Sequence, residues 1–181
     1  MRERQLVELG EELFAERGFA KASMDELARR AGVTKPVIYE LFGSKEGLFR
    51  ACLEGLALRL AECIADAARA EEEPEARLRA GGRAFLRFAS DNRVAYELLY
   101  EGRFSDAAVT VRRRQAELIL ELMREIASKD VDPRELEVAA NAVNSAYEGV
   151  AHWMWDHPEM DVEELADWTV ELLLPGLRRF T

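Results

Sequence analysis

The sequence predicts an all-α protein of about nine helices, with a small three-helix head over residues 1–46 and a larger helical body over 47–181. Three observations predict it. Ala, Glu, Leu and Arg dominate the 181 residues, and alternating β-branched patterns are absent. Apolar residues recur at steps of three and four. Helix punctuation, a hydroxyl or Asp before and a Gly or Pro after, returns at short intervals. A chain of this length buries roughly 70% of the surface its unfolded form exposes, so its core needs no covalent staple.

Leu6, Leu9, Leu13 and Phe14 give a first helix its apolar face, and Gly18 stands where a C-cap would end it. Ser23 with Glu26 reads as a capping box for a short helix carrying Met24, Leu27 and Ala28 and ending at Gly32. Thr34 is a good N-cap for the next short helix, and Pro36 falls in its first turn. Gly43 ends that helix. Ser44 then opens a long one reaching to about residue 70, roughly 39 Å at 1.5 Å per residue.

The run Glu71-Glu72-Glu73-Pro74 breaks the chain and starts a helix with Leu78, Gly82, Phe85 and Phe88, which Asp91-Asn92 interrupts. A short segment over Val94 to Tyr100 closes at Gly102. Further helices are expected from Phe104 to Ser128, from Asp132-Pro133 to His157-Pro158, and from Asp161 to the C-terminus, with Pro175-Gly176 kinking or ending the last. Gly81-Gly82 inside a helix costs about 1 kcal/mol per glycine against alanine, which suggests close packing or spare volume there. Cys52 and Cys63 fall on one helix about three turns apart, beyond disulfide reach, and read as reduced thiols in a packed helix.

The net charge of −10 divides unevenly. Residues 1–50 hold nine basic and nine acidic side chains, and residues 51–181 hold sixteen and twenty-six. An acidic body rules out a generally basic, non-specific nucleic-acid binder but leaves room for a neutral head that touches DNA. No leader peptide and no apolar run of membrane-spanning length is visible, so the expectation is a cytoplasmic protein with no membrane partner.

Residues 23–42 carry the functional signal. Two short helices joined at Ala31-Gly32-Val33-Thr34, with Leu27, Ala28, Val33 and Ile38 as a small core, have the dimensions of a helix-turn-helix. The alternative at the level of spacing is a plain helical hairpin in a bundle. The identities go further: Leu13-Phe14, Gly18-Phe19, Ser23-Met24, Leu27-Ala28, Ala31-Gly32-Val33, Tyr39, Phe42, Ser44-Lys45-Glu46 and Leu48-Phe49 resemble, in order and spacing, the DNA-binding head of the TetR family. The resemblance covers about residues 3–50. It implies a transcriptional regulator, most often a repressor, that binds a near-palindromic double-stranded operator as a homodimer and is released by a small-molecule effector.

Ser23, Thr34, Tyr39 and Lys45 are the expected phosphate contacts, the tyrosine through the family's pattern and the others through their places at helix N-termini. Lys35, Pro36 and Val37 are expected to face base edges. Glu40 and Leu41 depart from the family's usual basic or polar aromatic residues: Glu40 has the chemistry either to accept from cytosine N4 or to order a neighbour, and Leu41 to pack on the body instead of reading DNA.

In the body, Leu136, Ala140, Val143, Tyr147, Val150 and Met154 form one apolar stripe, and Ala142, Ser145 and Gly149 a second of small residues. The last helix carries Val162, Leu165, Thr169 and Leu172 on one side and Ala166, Val170, Leu173 and Leu177 on another. Two stripes imply burial on two sides. The TetR resemblance implies a four-helix dimer seam, to which Ala142, Ser145, Gly149, Val162, Leu165, Thr169 and Leu172 are assigned. Phe85, Phe88, Tyr96, Tyr100, Met123, Asn144 and Tyr147 are the candidates for an effector pocket, with core packing as the competing explanation of each aromatic. Arg112-Arg113-Arg114 has the charge to grip an anionic effector, but three consecutive residues spread around a helix, and a solvated face paired with the acidic body is the favoured reading. Glu148, His152 and Asp156 share a face, but nothing completes a metal set. No nucleophile triad, phosphate loop or paired-acid cleft appears, so neither catalysis nor a cofactor is expected. The rival reading is a helical carrier of a small molecule or lipid with no role at DNA.

Overall fold

A computed structural model describes residues 2–93, 96 and 105–180. Among them are eight α-helices, a closing 3-10 turn and no strand. The helices are α1 (Arg2–Lys21), α2 (Met24–Ala31), α3 (Lys35–Phe42), α4 (Lys45–Arg69), α5 (Pro74–Asp91), α6 (Ser105–Arg124), α7 (Pro133–Asp156) and α8 (Val162–Leu177), and the 3-10 turn is Arg178–Phe180. The segment expected from Val94 to Tyr100 and its stop at Gly102 lie, apart from Tyr96, outside the described residues.

The chain divides into two compact units. The described residues of Met1–Leu58 and Val94–Val109 form one, and those of Arg59–Arg93 and Thr110–Thr181 the other. The first therefore takes in more of α4 than a boundary at residue 46 provides. The reason lies in the packing of that helix. Phe49 meets Phe14 and Phe19 edge-on, with ring centroids 4.9 and 5.1 Å apart. Cys52 donates to the Val7 carbonyl at 3.4 Å. Two turns of α4 are thus core to the head.

The head's helices begin and end as the punctuation predicts, with one difference. Gly18 stops the first regular stretch of α1, at φ 69° and ψ 162°, and a short further turn carries on to Lys21. The capping box is only half made. Ser23 Oγ accepts from the Asp25 N–H at 3.3 Å, while Glu26 turns away to Arg30, 2.6 Å from its Nη2. The arginine wins because it also grips Glu16 of α1 with two bonds of 3.0 and 2.7 Å, a bidentate pair that fixes α1 against α2. Gly32 closes α2 in the left-handed region at φ 63°, where a side chain is strained. Ser44 caps α4 by accepting from the Gly47 N–H at 3.0 Å.

In the second unit, Asp132 and Asp161 cap α7 and α8 through their side chains. Helix α6 stops at Arg124 instead of Ser128. Pro175 does not end α8, which runs on to Leu177 before tightening into the 3-10 turn. Phe180 then anchors the terminus, buried with Leu136 and Ala139, its carbonyl accepting from the Ser128 N–H at 2.8 Å. Both cysteines are free. Cys52 is buried as expected, but Cys63 is exposed.

Candidate nucleic-acid interface and ligand cavity

In the head, Leu27 and Ile38 are fully buried and Ala28 nearly so, which sets α3 against α2 through the glycine turn. The opposite face of α3 is open. Pro36, Tyr39 and Glu40 are exposed along it, with Tyr39 40% accessible. Thr34 is exposed at the N-cap position, and its hydroxyl makes no capping bond. Val37 is half-buried and Leu41 is 44% exposed.

Two cations already have partners. Lys35 Nζ lies 2.9 Å from Asp25 Oδ2, and that hydrogen bond holds the ammonium above the ordinary lysine range. Lys45 Nζ donates to the Ala20 carbonyl at 3.3 Å and stands 4.7 Å from the Phe19 ring centroid. Neither is buried by its contact, so each ammonium stays beside the open face. Asp25 is a member of this surface that the sequence reading missed, because its approach to Lys35 depends on the angle between α2 and α3.

The second unit holds a cavity between α4, α5, α6 and α7, with about 570 Å³ of space counting its open mouth. Phe85, Met123, Asn144 and Tyr147 line it as expected. Phe88 does not: it continues the α5 stripe past the end of the cavity and is half-buried. Tyr96 is fully buried in the other unit and is core there. Tyr100 lies outside the described residues. The rest of the wall is mainly aliphatic, including Ile64, Leu78, Ile119, Leu122 and Ile126. Ile119, Leu122 and Met123 recur at helical spacing on α6, and Ile126 follows just past its end.

Of the arginine run, Arg112 lies 3.4 Å from Glu148 and Arg113 3.0 Å from Glu117. On α7 the first apolar stripe faces inward, while Val138, Ala142, Ser145, Gly149 and Trp153 follow one another on an exposed face. On α8, Leu165 and Thr169 are buried inside the chain itself, Val162 is half-buried and Leu172 is 80% exposed. The exposed apolar arc of α8 is rotated toward Trp168, which the sequence reading did not select. No helix among the described residues is long and apolar enough to cross a membrane.

A short exposed helix, braced by a second through a left-handed glycine and by two more behind, is a DNA-binding helix-turn-helix. With a separate helical unit walling a cavity, it defines a transcriptional regulator. The comparisons agree. Residues 6–52 match the profile for bacterial regulatory proteins of the tetR family, and residues 74–176 match the Tetracyclin repressor-like C-terminal domain. The chain is 29% identical over 178 residues to the HTH-type transcriptional activator FasR of Mycolicibacterium smegmatis, covering 96% of this chain and 81% of FasR. It is 31% identical to a TetR-like regulator from Rhodococcus sp. RHA1, with a TM-score of 0.69 and coverage of 98% and 96% of the two chains. At 16% identity, FadR of Bacillus subtilis, solved in complex with stearoyl-CoA, shares the fold, with a TM-score of 0.76 and coverage of 96% and 98% of the two chains. The chain belongs to the TetR family and is a DNA-binding transcriptional regulator, not an enzyme.

Proposed function

We propose that the chain binds a near-palindromic operator as a homodimer and that an effector in the cavity of the second unit lowers its affinity for that operator, so that it acts as a repressor. The observation that carries this reading is the exposed apolar face of α7 and α8. Val138 is 70%, Trp168 53% and Leu172 80% exposed, around the small residues Ala142, Ser145 and Gly149. Large apolar side chains grouped on two helices of an otherwise acidic surface mark an interface, and small residues between them let a partner backbone approach closely. The seam residues are therefore Val138, Ala142, Ser145, Gly149, Trp168 and Leu172, and Leu165 and Thr169 serve the chain's own core.

A dimer matters because one head offers few charges. Two heads set about 34–36 Å apart, or somewhat more, reach successive major grooves, and their two-fold axis demands a palindromic site. Tyr39, Thr34, Ser23 and Lys45 contact phosphates, while Lys35, Pro36, Val37 and Glu40 face base edges. Helix α4 supports the coupling: its first turns pack on α1, and its later residues Ile64 and Ala68 line the cavity. An effector that prefers a tilted α4 misplaces the heads, and the shift it produces is limited by its differential affinity, several kcal/mol for a strong switch. An apolar effector agrees with the wall's composition and with the stearoyl-CoA that FadR, of the same fold, holds.

Sedimentation of the chain with a short duplex from its own gene's upstream region tests the assembly. Two chains per duplex, arising from a dimer already formed without DNA, is the expected result. A chain monomeric at micromolar concentration that loads singly would refute it.

A further inference from the structure

Asp25 and Lys35 meet across the turn that joins α2 to α3. Lys35 is the first residue of α3, and its Nζ donates to Asp25 Oδ2 at 2.9 Å. Asp25 falls in the first turn of α2, where the free N–H groups of a helix start favour an acid. Its own N–H donates to Ser23 Oγ at 3.3 Å, so the carboxylate is carried on a fixed turn of backbone. Tyr39 follows one turn further along α3, close enough to act on the same ammonium. The pair is not needed as a brace. Leu27 and Ile38, both fully buried, already set α2 against α3. The side chains of Lys35 and Asp25 are 43% and 72% exposed, and a pair so open to water adds little to stability.

What the pair changes is where the lysine goes beside a duplex. A lysine is a compact charge on a flexible stem, and phosphates are the strongest attraction in its reach. A phosphate contact carries no sequence information. The first residues of a recognition helix are the ones that approach base edges, where guanine O6 and N7 accept from a lysine. An ammonium has three donors, so the bond to Asp25 leaves protons for a base. The carboxylate at the same time repels phosphate oxygens, which makes the sugar-phosphate rail a poor place for the pair.

We propose that Asp25 sets sequence preference through Lys35: its carboxylate holds the ammonium off the phosphates and presents it to a guanine edge in the major groove, which lowers overall affinity and raises selectivity. Asp25 is thus a positioning residue, and Lys35 is the one that touches the base. This inference rests on reading α3 as the helix that enters the groove.

Selection of duplexes from a randomised pool by the full-length protein tests it, followed by anisotropy with the selected duplex and a scrambled one. Lys35→Met should erase a guanine at one position of each half-site and leave the other positions intact. Asp25→Asn should weaken the preference at that same position, lowering the ratio of selected to scrambled affinity by about tenfold. It should also tighten binding to the scrambled duplex, with a salt slope steeper by about one per head, and adding Lys35→Met should remove that gain. Asp25→Glu keeps a carboxylate beside the ammonium and should retain most of the guanine preference. The proposal is overturned if Asp25→Asn leaves the selected sequence unchanged, or if its gain survives loss of the lysine, since both mark simple repulsion of phosphate. Equal weakening of both duplexes overturns it too, and marks a brace between the helices. A parent that selects no sequence removes the reading of α3 as well, whereas a parent that selects a sequence with no base tied to Lys35 removes this proposal alone.

Discussion

The phenol of Tyr147 occupies the space that a side chain at position 82 would need: a Cβ built on Gly82 would lie 2.7 Å from Tyr147 Cε1 and nearer still to Cζ and Oη. At Gly81 the same construction meets Ile64 Cγ2 at 3.5 Å, an ordinary contact. The two adjacent glycines should therefore respond oppositely to alanine. Gly81→Ala gains helix propensity of up to about 1 kcal/mol. Gly82→Ala gains the same and loses more, about 1–3 kcal/mol, through overpacking against the ring. Thermal unfolding of the two variants should show a Tm equal to or above the parent for the first and below it for the second.

Helix α5 is tied to α8 by an acid–base ladder. Arg83 Nη2 lies 2.8 and 3.0 Å from the Asp167 carboxylate oxygens, Arg79 reaches the same group at 3.4 Å, and Arg87 lies 2.6 Å from Glu163. The Arg83 hydrogen bond, helped by the Arg83 charge and by Arg79, holds Asp167 below its ordinary value of 3.8. Protonation is then harder in the folded state than in the unfolded one. The stabilisation is complete above the ordinary carboxylate range and is lost as pH falls through it toward the lowered folded value. The side chains are about a third exposed, so solvent screening keeps the effect to about 1 kcal/mol or less. Urea unfolding from pH 6 down to pH 3 should show a shallower decline for Asp167→Asn than for the parent.

Leu165 and Leu172 separate folding from assembly. Leu172 is 80% exposed and Leu165 5%. Leu172→Glu should leave the helical spectrum and Tm nearly intact while shifting sedimentation from dimer to monomer. Leu165→Glu buries an unpaired charge and should cost several kcal/mol, enough to unfold much of the second unit. If both variants remain dimers, the seam lies elsewhere.

Much of the fold was legible because its helix boundaries are local events. Ser23, Gly32, Ser44, Pro74, Asp132 and Asp161 each act within one turn of chain, and each marks a helix end where expected. The errors fall where a partner from another element intervenes. Glu26 left its capping box for an arginine that Glu16 also holds. Pro175 was outweighed by Phe180 docking on Leu136 and Ala139. The pocket was legible in Phe85, Met123, Asn144 and Tyr147, but its limit short of Phe88 depends on how far α6 and α7 run beside α5. The exposed side of α8 was misplaced toward Leu165 because both sides are apolar, and only the packing on α5 and α7 selects one.

The central claim is that the open face of α3 reads a duplex. The most direct test is fluorescence anisotropy with DNA from the gene's own upstream region, against a scrambled duplex and over a range of salt. The account predicts a site preferred by roughly a thousandfold or more. It predicts roughly tenfold weaker binding across all sequences for Tyr39→Phe, and for Lys45→Ala a salt slope lower by about one per head. Equal affinity for both duplexes, with the two variants indistinguishable from the parent, would contradict it.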